Sequence, residues 1–267
     1  MLLSNRVAII TGGARGIGKG IALKFAEEGC SLVIADILVQ EGKKTAEELS
    51  KKGREAVFIQ CDVTDSRQVQ DMVDQVIEKF GKIDILVNDA GVGPLPKPIT
   101  EVPEAEWDKI LDINLKGVFL CCKAVVPHLK KNGYGKIISI SSGAAISPPI
   151  THVHYSAAKA GILGLTFDLA LELAPFKICV NAILPGPIRT EGWEGAVFPT
   201  PRADMEDIIA TIGKAIAPMQ RMGTPEDIAG AALFLASDLS AYVTGDRIIV
   251  GGGFPLRHIT IPHDVFK

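Results

Sequence analysis

The 267-residue chain has only five cysteines, Cys30, Cys61, Cys121, Cys122 and Cys179, and no CxxC pair among them. An odd number without paired spacing argues against a disulfide framework and against a zinc site, so the thiols read as reduced and mostly buried. An excess of one charge is also missing. Lys plus Arg is 28 and Asp plus Glu is 31, a net −3, and no basic stretch is present to track a phosphate backbone. Dedicated nucleic-acid binding is not expected. No run approaches about 18 uninterrupted apolar residues, so no transmembrane helix is expected. The N-terminus meets Ser4, Asn5 and Arg6 after two leucines, too early for a secretory signal, and reads as the first strand of a cytoplasmic protein. The absence of any GxSxG elbow excludes the common serine-hydrolase arrangement.

What is present is core material: 47% of residues are apolar and the mean hydropathy is +0.26. Short β-branched runs alternate with amphipathic stretches of helical length, the pattern of a parallel sheet covered on both faces. Seven strands are expected, over 6–11, 31–36, 56–60, 83–88, 136–141, 178–184 and 247–250. Helices are expected near 16–28, 40–52, 66–80, 104–131, 155–173 and 225–236, several opened by Ser, Thr or Pro. Residues 185–223 break the rhythm with five prolines and read as an insertion with a helix near 204–217. The length suits a single α/β domain over 1–267, with 187–222 as a substrate lid.

After the first strand comes Thr11-Gly12-Gly13-Ala14-Arg15-Gly16-Ile17-Gly18, leading straight into a helical pattern. Glycines at 12, 16 and 18 let the backbone turn tightly and approach a pyrophosphate held on the helix N–H groups. Such a turn alone is weak evidence; its position between strand and helix strengthens it. Asp36 closes the second strand 18 residues beyond Gly18, where a carboxylate accepts hydrogen bonds from ribose hydroxyls and repels a 2′-phosphate. That favours NAD(H), and implies a doubly wound Rossmann-type fold. Arg15 points the other way, since a cation in the turn would attract the 2′-phosphate of NADP(H). Asp36 carries more weight, because facing a phosphate it imposes a direct like-charge penalty.

Tyr155 and Lys159 stand four residues apart on one expected helix face, after a strand ending in Ser141-Ser142-Gly143. Lowering a tyrosine pKa from about 10 to about 7 takes roughly 4 kcal/mol; a cation about 4 Å away at an effective dielectric near 20 nearly supplies it, and the positive ring of a bound oxidised cofactor would provide the rest. A YxxxK pair alone is a common helical spacing. Together with Asp62-Val63, Asn88-Asp89-Ala90-Gly91, Asn114 in an INLKG run and the segment Pro185-Gly186-Pro187-Ile188-Arg189-Thr190, however, the chain resembles the short-chain dehydrogenase/reductase family over nearly its whole length.

The resemblance implies that Tyr155 exchanges a proton with the substrate oxygen and that Ser142, 13 residues earlier, hydrogen-bonds that oxygen. It further implies that Lys159 holds the nicotinamide ribose and tunes Tyr155, and that Asn114 anchors a water relay to Lys159. Asp62 and Val63 would contact adenine, and Ile188 with Thr190 would fix the carboxamide. Arg15, Ile17, Asn88, Ala90, Gly91, Pro185 and Gly186 would complete the cofactor contacts. A homotetramer is implied, through the helices over 104–131 and 155–173 and the C-terminal segment.

Two positions depart from the family pattern: Asp89 replaces the usual second asparagine of NNAG, and Gly251 stands where an aspartate is usual. His152 and His154 lack companion metal ligands and read as pocket lining. Cys121 and Cys122 read as packing residues, and Trp193 and Phe198 as lid residues. The expected chemistry is hydride transfer between NAD(H) and a secondary alcohol or ketone, with no metal. The pocket segments near 93–96, 144–150 and 193–198 are mainly apolar, leaving cyclic or aromatic alcohols, steroid-like compounds, polyols and acyl thioesters open. The alternatives are an NADP-linked 3-oxoacyl thioester reductase, suggested by Arg15, and a low-turnover NAD-binding partner subunit, suggested by Asp89. Residues 257–267 are expected either to reach a neighbouring subunit or to fray.

Overall fold

A computed structural model of the chain describes residues 1–149, 151–197, 200 and 203–256. Seven strands form one sheet: β1 (Val7–Thr11), β2 (Ser31–Asp36), β3 (Ala56–Gln60), β4 (Ile85–Asn88), β5 (Gly135–Ile140), β6 (Ile178–Pro185) and β7 (Arg247–Val250). Their order is β3-β2-β1-β4-β5-β6-β7, and all neighbours are parallel. A parallel sheet of this kind needs cover on both faces, and alternation along each strand divides its side chains between two cores. In β1, Ile10 joins one core and Ile9 the other.

The first core receives Phe25 from α1 (Gly16–Glu27), Leu49 from α2 (Val39–Lys51) and Ile228 from α9 (Pro225–Ala236). Between them α1 and α9 pack so closely that a Cβ on Gly20 would lie 2.6 Å from Pro225 Cβ. The second core receives Met72 from α3 (Ser66–Phe80), Val125 from α5 (Gly117–Asn132) and Ile162 from α6 (Val153–Leu173). Cys121 and Cys122 both belong to this second core, as packing residues should.

From β1 the chain proceeds outward to β2 and β3, then crosses back to β4 on the other side. That reversal opens a crevice at the carboxyl ends of β1 and β4, where ligands of doubly wound sheets bind.

The expected helix over 104–131 is interrupted. It consists of α4 (Glu104–Leu111), a wide turn over Asp112–Lys116, and α5. Within that turn, Asn114 Nδ2 donates to the Ile110 carbonyl at 2.9 Å and competes with the regular backbone ladder. In the segment 185–223 the structure has α8 (Met205–Ile216), near the expected helix, and also α7 (Glu191–Val197), which had not been expected. Thr190 Oγ1 accepts from Trp193 N at 3.1 Å and opens α7 as a local cap. Ile188 pairs with Gly223, and Gly223 N donates to Pro187 O at 2.9 Å, so both ends of the insertion meet at one joint.

Among the described residues no helix is long and apolar enough to cross a membrane, and no group of three His, Cys, Asp or Glu side chains is arranged to hold a metal.

At the end of the sheet, the turns after β6 and β7 cross closely. A Cβ on Gly186 would lie 2.6 Å from Gly251 Cα, and one on Gly251 would lie 2.5 Å from Phe254 O. Gly251 is thus fitted to its own turn, and Gly251→Asp is expected to cost about 1–3 kcal/mol through overpacking. Urea unfolding would measure this, and a change within about 0.5 kcal/mol would show that the turn has room.

Candidate active site

The glycine turn is stitched to the end of β4. Thr11 Oγ1 accepts from Asp89 N at 3.2 Å and Ala90 N at 3.3 Å. Gly12 has φ +70°, and a Cβ there would lie 2.7 Å from Ala90 N, so only glycine fits. Likewise a Cβ on Gly18 would meet Gly12 O at 2.4 Å and Asp89 Oδ2 at 2.8 Å.

The N-terminus of α1, unlike those of α3 and α9, has no cap from its own side chains. Asp65 caps α3, and Thr224 with Asp227 forms a capping box on α9. On α1 the N-cap is Arg15, without a side-chain cap and with no acid in the first turn. Carboxylates from outside the helix stand at these donors instead: Glu191 Oε2 accepts from Gly16 N at 3.2 Å, and Asp89 Oδ2 lies against Gly18, 2.8 Å from where a Cβ would be. A donor set that attracts oxyanions from two separate segments fits the pyrophosphate of a dinucleotide.

Asp36 stands at the mouth of this turn. Its Oδ2 accepts from Ala14 N and its Oδ1 from Leu38 N, both at 3.0 Å. Arg15 is exposed, with its guanidinium directed along α7 near Gly192. Asp62 holds Thr64 through that residue's N (2.9 Å) and Oγ1 (2.8 Å), while Val63 is buried against Gly117. Thr190 lies beside Gly16, and Ile188 is buried at the base of the insertion. Asn88 is turned into the sheet: its Nδ2 reaches Ser139 Oγ at 3.3 Å and Cys122 Sγ at 3.5 Å.

Ser142, Tyr155 and Lys159 come together across the ends of β5 and α6. Ser142 Oγ accepts from Ala144 N at 3.1 Å and lies close enough to the Tyr155 phenol to lower its proton affinity. Lys159 Nζ donates to Ile140 O at 3.0 Å and lies 5.7 Å from the Tyr155 ring centre. Gly91 lies close to both Asn114 Oδ1 and Lys159 Nζ, which would be 2.8 and 3.4 Å from a Cβ placed there. Asn114 is fully buried; its amide donates to Val92 O at 3.0 Å and accepts from Val92 N at 3.3 Å.

The expected lowering of the Tyr155 pKa is not a property of the ligand-free chain. Burial pushes the phenol above its ordinary value, the Ser142 hydroxyl opposes this, and the nearby Asp89 charge adds to the rise. The lysine itself is depressed to about 8 by burial, against the opposing attraction of Asp89. A cation that is costly to keep charged, with its ammonium spent on Ile140, stabilises a phenolate less than the spacing alone suggests.

Asp89 is the group whose placement the sequence left open. Burial raises its carboxyl to about 7, Lys159 and the Gly18 N–H pull it down, and Asp36 pushes it up. His154 also differs from expectation. It is fully buried rather than lining a pocket, with Nε2 3.2 Å from Glu106 Oε1. Lys97 pairs with the same carboxylate, and these two partners hold Glu106 below the usual range. Glu106 and Lys97 thereby tie the loop after β4 to the start of α6, a link between distant segments that no local motif announces. Ile150, Phe198 and residues 257–267, named above for the pocket, lid and tail, lie outside the described residues.

A family model described as enoyl-(acyl carrier protein) reductase, one of those for the short-chain dehydrogenases/reductases, matches residues 12–255. The chain belongs to the short-chain dehydrogenase/reductase family. Among its relatives, the hydroxy(phenyl)methylsuccinyl-CoA dehydrogenase subunit BbsD of Thauera aromatica is 41% identical, over 95% of this chain and 98% of that protein. The NAD-dependent glycerol dehydrogenase of Listeria innocua is 37% identical, covering 96% of each chain. The 3-oxoacyl-acyl-carrier-protein reductase FabG of Thermotoga maritima is 38% identical, over 95% of this chain and 99% of that protein. The crystal structure of levodione reductase superposes with a TM-score of 0.88 at 31% identity, covering 94% of this chain and 98% of that one. As a member of the family the chain is an oxidoreductase acting on CH–OH groups with a nicotinamide cofactor.

A raised carboxyl has a definite effect on stability. Because the folded-state pKa of Asp89 exceeds its unfolded value, ionisation opposes folding. The penalty is absent at pH below about 4 and complete above about 7. The full shift is equivalent to about 4 kcal/mol, which partial exposure of the side chain reduces. Asp89→Asn is therefore expected to gain about 1–2 kcal/mol over the wild type at about pH 8 and much less at about pH 5. Urea unfolding at the two pH values checks it, and a variant less stable at the higher pH would refute the assignment.

Proposed function

We propose that the enzyme transfers a hydride between NAD(H) and a secondary alcohol or the matching ketone. The observation that carries this reading is the meeting of Ser142, Tyr155 and Lys159 with the externally served N-terminus of α1 at one sheet end. When bound, the cofactor supplies the hydride acceptor or donor at its nicotinamide ring. In the oxidising direction Tyr155 takes the proton of the substrate hydroxyl, and in reduction it returns that proton to the carbonyl oxygen. Ser142 hydrogen-bonds the same oxygen. Lys159 holds the nicotinamide ribose and lends positive charge to the phenol, while Asn114, rigid in the wide turn, supports a water path towards Lys159.

The remaining cofactor contacts fall to Gly12, Arg15, Gly16, Ile17 and Gly18 at the pyrophosphate, and to Asp36 at the adenosine ribose. Asp62 and Val63 serve adenine. Asn88, Ala90 and Gly91 line the end of β4, where the contact of Asn88 would come from its backbone, and Pro185, Gly186, Ile188 and Thr190 line the nicotinamide side. The preference for NAD(H) is supported by Asp36, fixed by two backbone N–H groups in front of the turn. A second reading, an NADP-linked 3-oxoacyl thioester reductase, is favoured by the exposed Arg15 beside the same turn.

The substrate would enter beneath residues 187–222 as a lid, whose ends are joined at Ile188 and Gly223. Exposed Phe119 on α5 and exposed Phe167 and Leu171 on α6 support a homotetramer built on these helices. The unpaired cysteines support a reducing, cytoplasmic location.

Tyr155→Phe is expected to keep NADH binding, read by fluorescence titration, and to lose about 10²–10⁴-fold in turnover. A variant turning over at the wild-type rate would remove Tyr155 from the mechanism. Across a panel of secondary alcohols and 3-oxoacyl thioesters, kcat/KM is expected to be higher with NAD(H) than with NADP(H). The reverse preference would favour the second reading. Light scattering is expected to give the mass of four chains, and a stable monomer would refute the assembly.

A further inference from the structure

We propose that Asp89 makes dinucleotide binding proton-linked, its carboxylate taking up one proton from solvent when a pyrophosphate arrives at the N-terminus of α1. The inference rests on the dinucleotide reading above and names a regulation of that site.

The argument begins with geometry. Asp89 is held from behind by Thr11 Oγ1, which accepts its backbone N–H at 3.2 Å. Its Oδ2 projects so close to Gly18 that a Cβ on that glycine would lie 2.8 Å away. A negative side chain therefore already stands beside the donors that serve an incoming anion.

The charges facing Asp89 come from three elements. Lys159 and Tyr155 approach from α6, Asp36 approaches from the end of β2, and α1 contributes the Gly18 N–H. Glu191, from α7, occupies the neighbouring donor of Gly16. Lys159 is the attractive ion in this set. Burial nevertheless outweighs it, and the carboxyl titrates near neutrality instead of in the usual acid range.

Phosphate charge arriving on the α1 donors acts on Asp89 with the same sign as Asp36 and raises its proton affinity further. The carboxylate and one solvent proton then become a neutral carboxyl, which removes the like-charge conflict and offers an O–H donor. Cofactor affinity must fall as pH rises through the ionisation of Asp89, by up to about tenfold per pH unit. An asparagine at this position would lack the share of that dependence that Asp89 carries. Lys159 also titrates near the site, at about 8, so its contribution belongs to the alkaline end.

The test is NADH binding by isothermal titration calorimetry, in buffers of differing ionisation enthalpy, between about pH 6 and 8. Wild-type protein is expected to take up protons on binding near pH 7 and to lose about threefold or more in affinity between about pH 6 and 7.5. Asp89→Asn is expected to lose most of the proton uptake below about pH 7 while still binding NADH, with what dependence is left belonging to Lys159. Wild-type affinity that is flat with pH, or an unchanged slope in Asp89→Asn, overturns the proposal while leaving the dinucleotide reading intact. Failure of the wild type to bind NADH at any pH overturns the dinucleotide reading itself, and the proposal with it. If Asp89→Asn does not fold, carboxyl-selective ¹³C NMR of the wild type decides the matter. The Asp89 titration midpoint is expected to move to higher pH on adding NADH, and a midpoint unmoved or lowered overturns the proposal.

Discussion

The site depends on keeping an ammonium charged where water is scarce. Lys159 is buried near the carboxyl ends of β4 and β5, and a lone cation there would lose much of its charge to desolvation. Ile140 O supplies one acceptor at 3.0 Å, and Asp89 supplies an opposing charge. Each partner has its own cost: the carbonyl draws the ammonium off the phenol, and the carboxylate, itself poorly hydrated, titrates near neutrality. Tyr155, Lys159 and Asp89 thus behave as one ionic system, in which the charge on Asp89 raises the proton affinity of the other two. The phenol acquires its reactivity from that whole system and from what fills the cleft.

The sheet explains why such a system is placed so reproducibly. Every strand bearing a site residue is parallel and covered on both faces, so the register from β1 to β6 is fixed by two cores at once. Thr11, Asn88 and Ile140 all close strands in that register. Short polar contacts such as Thr11 Oγ1 with Asp89 N and Ala90 N then fasten the loops beyond the strand ends. The rigidity of the sheet is passed to the catalytic groups through only a few atoms.

Much of this was legible in the sequence because it is carried by local pattern. Strand alternation, the TGGARGIG turn and the Tyr155/Lys159 spacing each occupy one short window, and the strands at 31–36, 56–60 and 247–250 appear with the expected bounds. The misses involve groups whose surroundings come from elsewhere in the chain. His154 read as pocket lining because its partner Glu106 lies 48 residues away. The wide turn at Asp112–Lys116 hid inside an apparently continuous helix, since one amide reaching back to Ile110 O leaves no trace in hydrophobic periodicity. Spacing gave the right neighbours for Tyr155 but the wrong direction for its proton affinity, because burial depends on the whole fold.

The joint at Ile188 and Gly223 has an evolutionary consequence. Everything between those positions leaves the scaffold and returns to it at the same point, with Arg189 N bonded to Gly223 O at 2.9 Å as a further fastening. Within that excursion Glu191 reaches Gly16 N and Met219 N donates to Gly252 O at 3.0 Å, so changes that spare these contacts leave the strands and the helix that bears Tyr155 in place. One hydride-transfer frame can therefore be refitted to new alcohols by rewriting most of this stretch, while Ser142, Tyr155 and Lys159 stay on elements outside it.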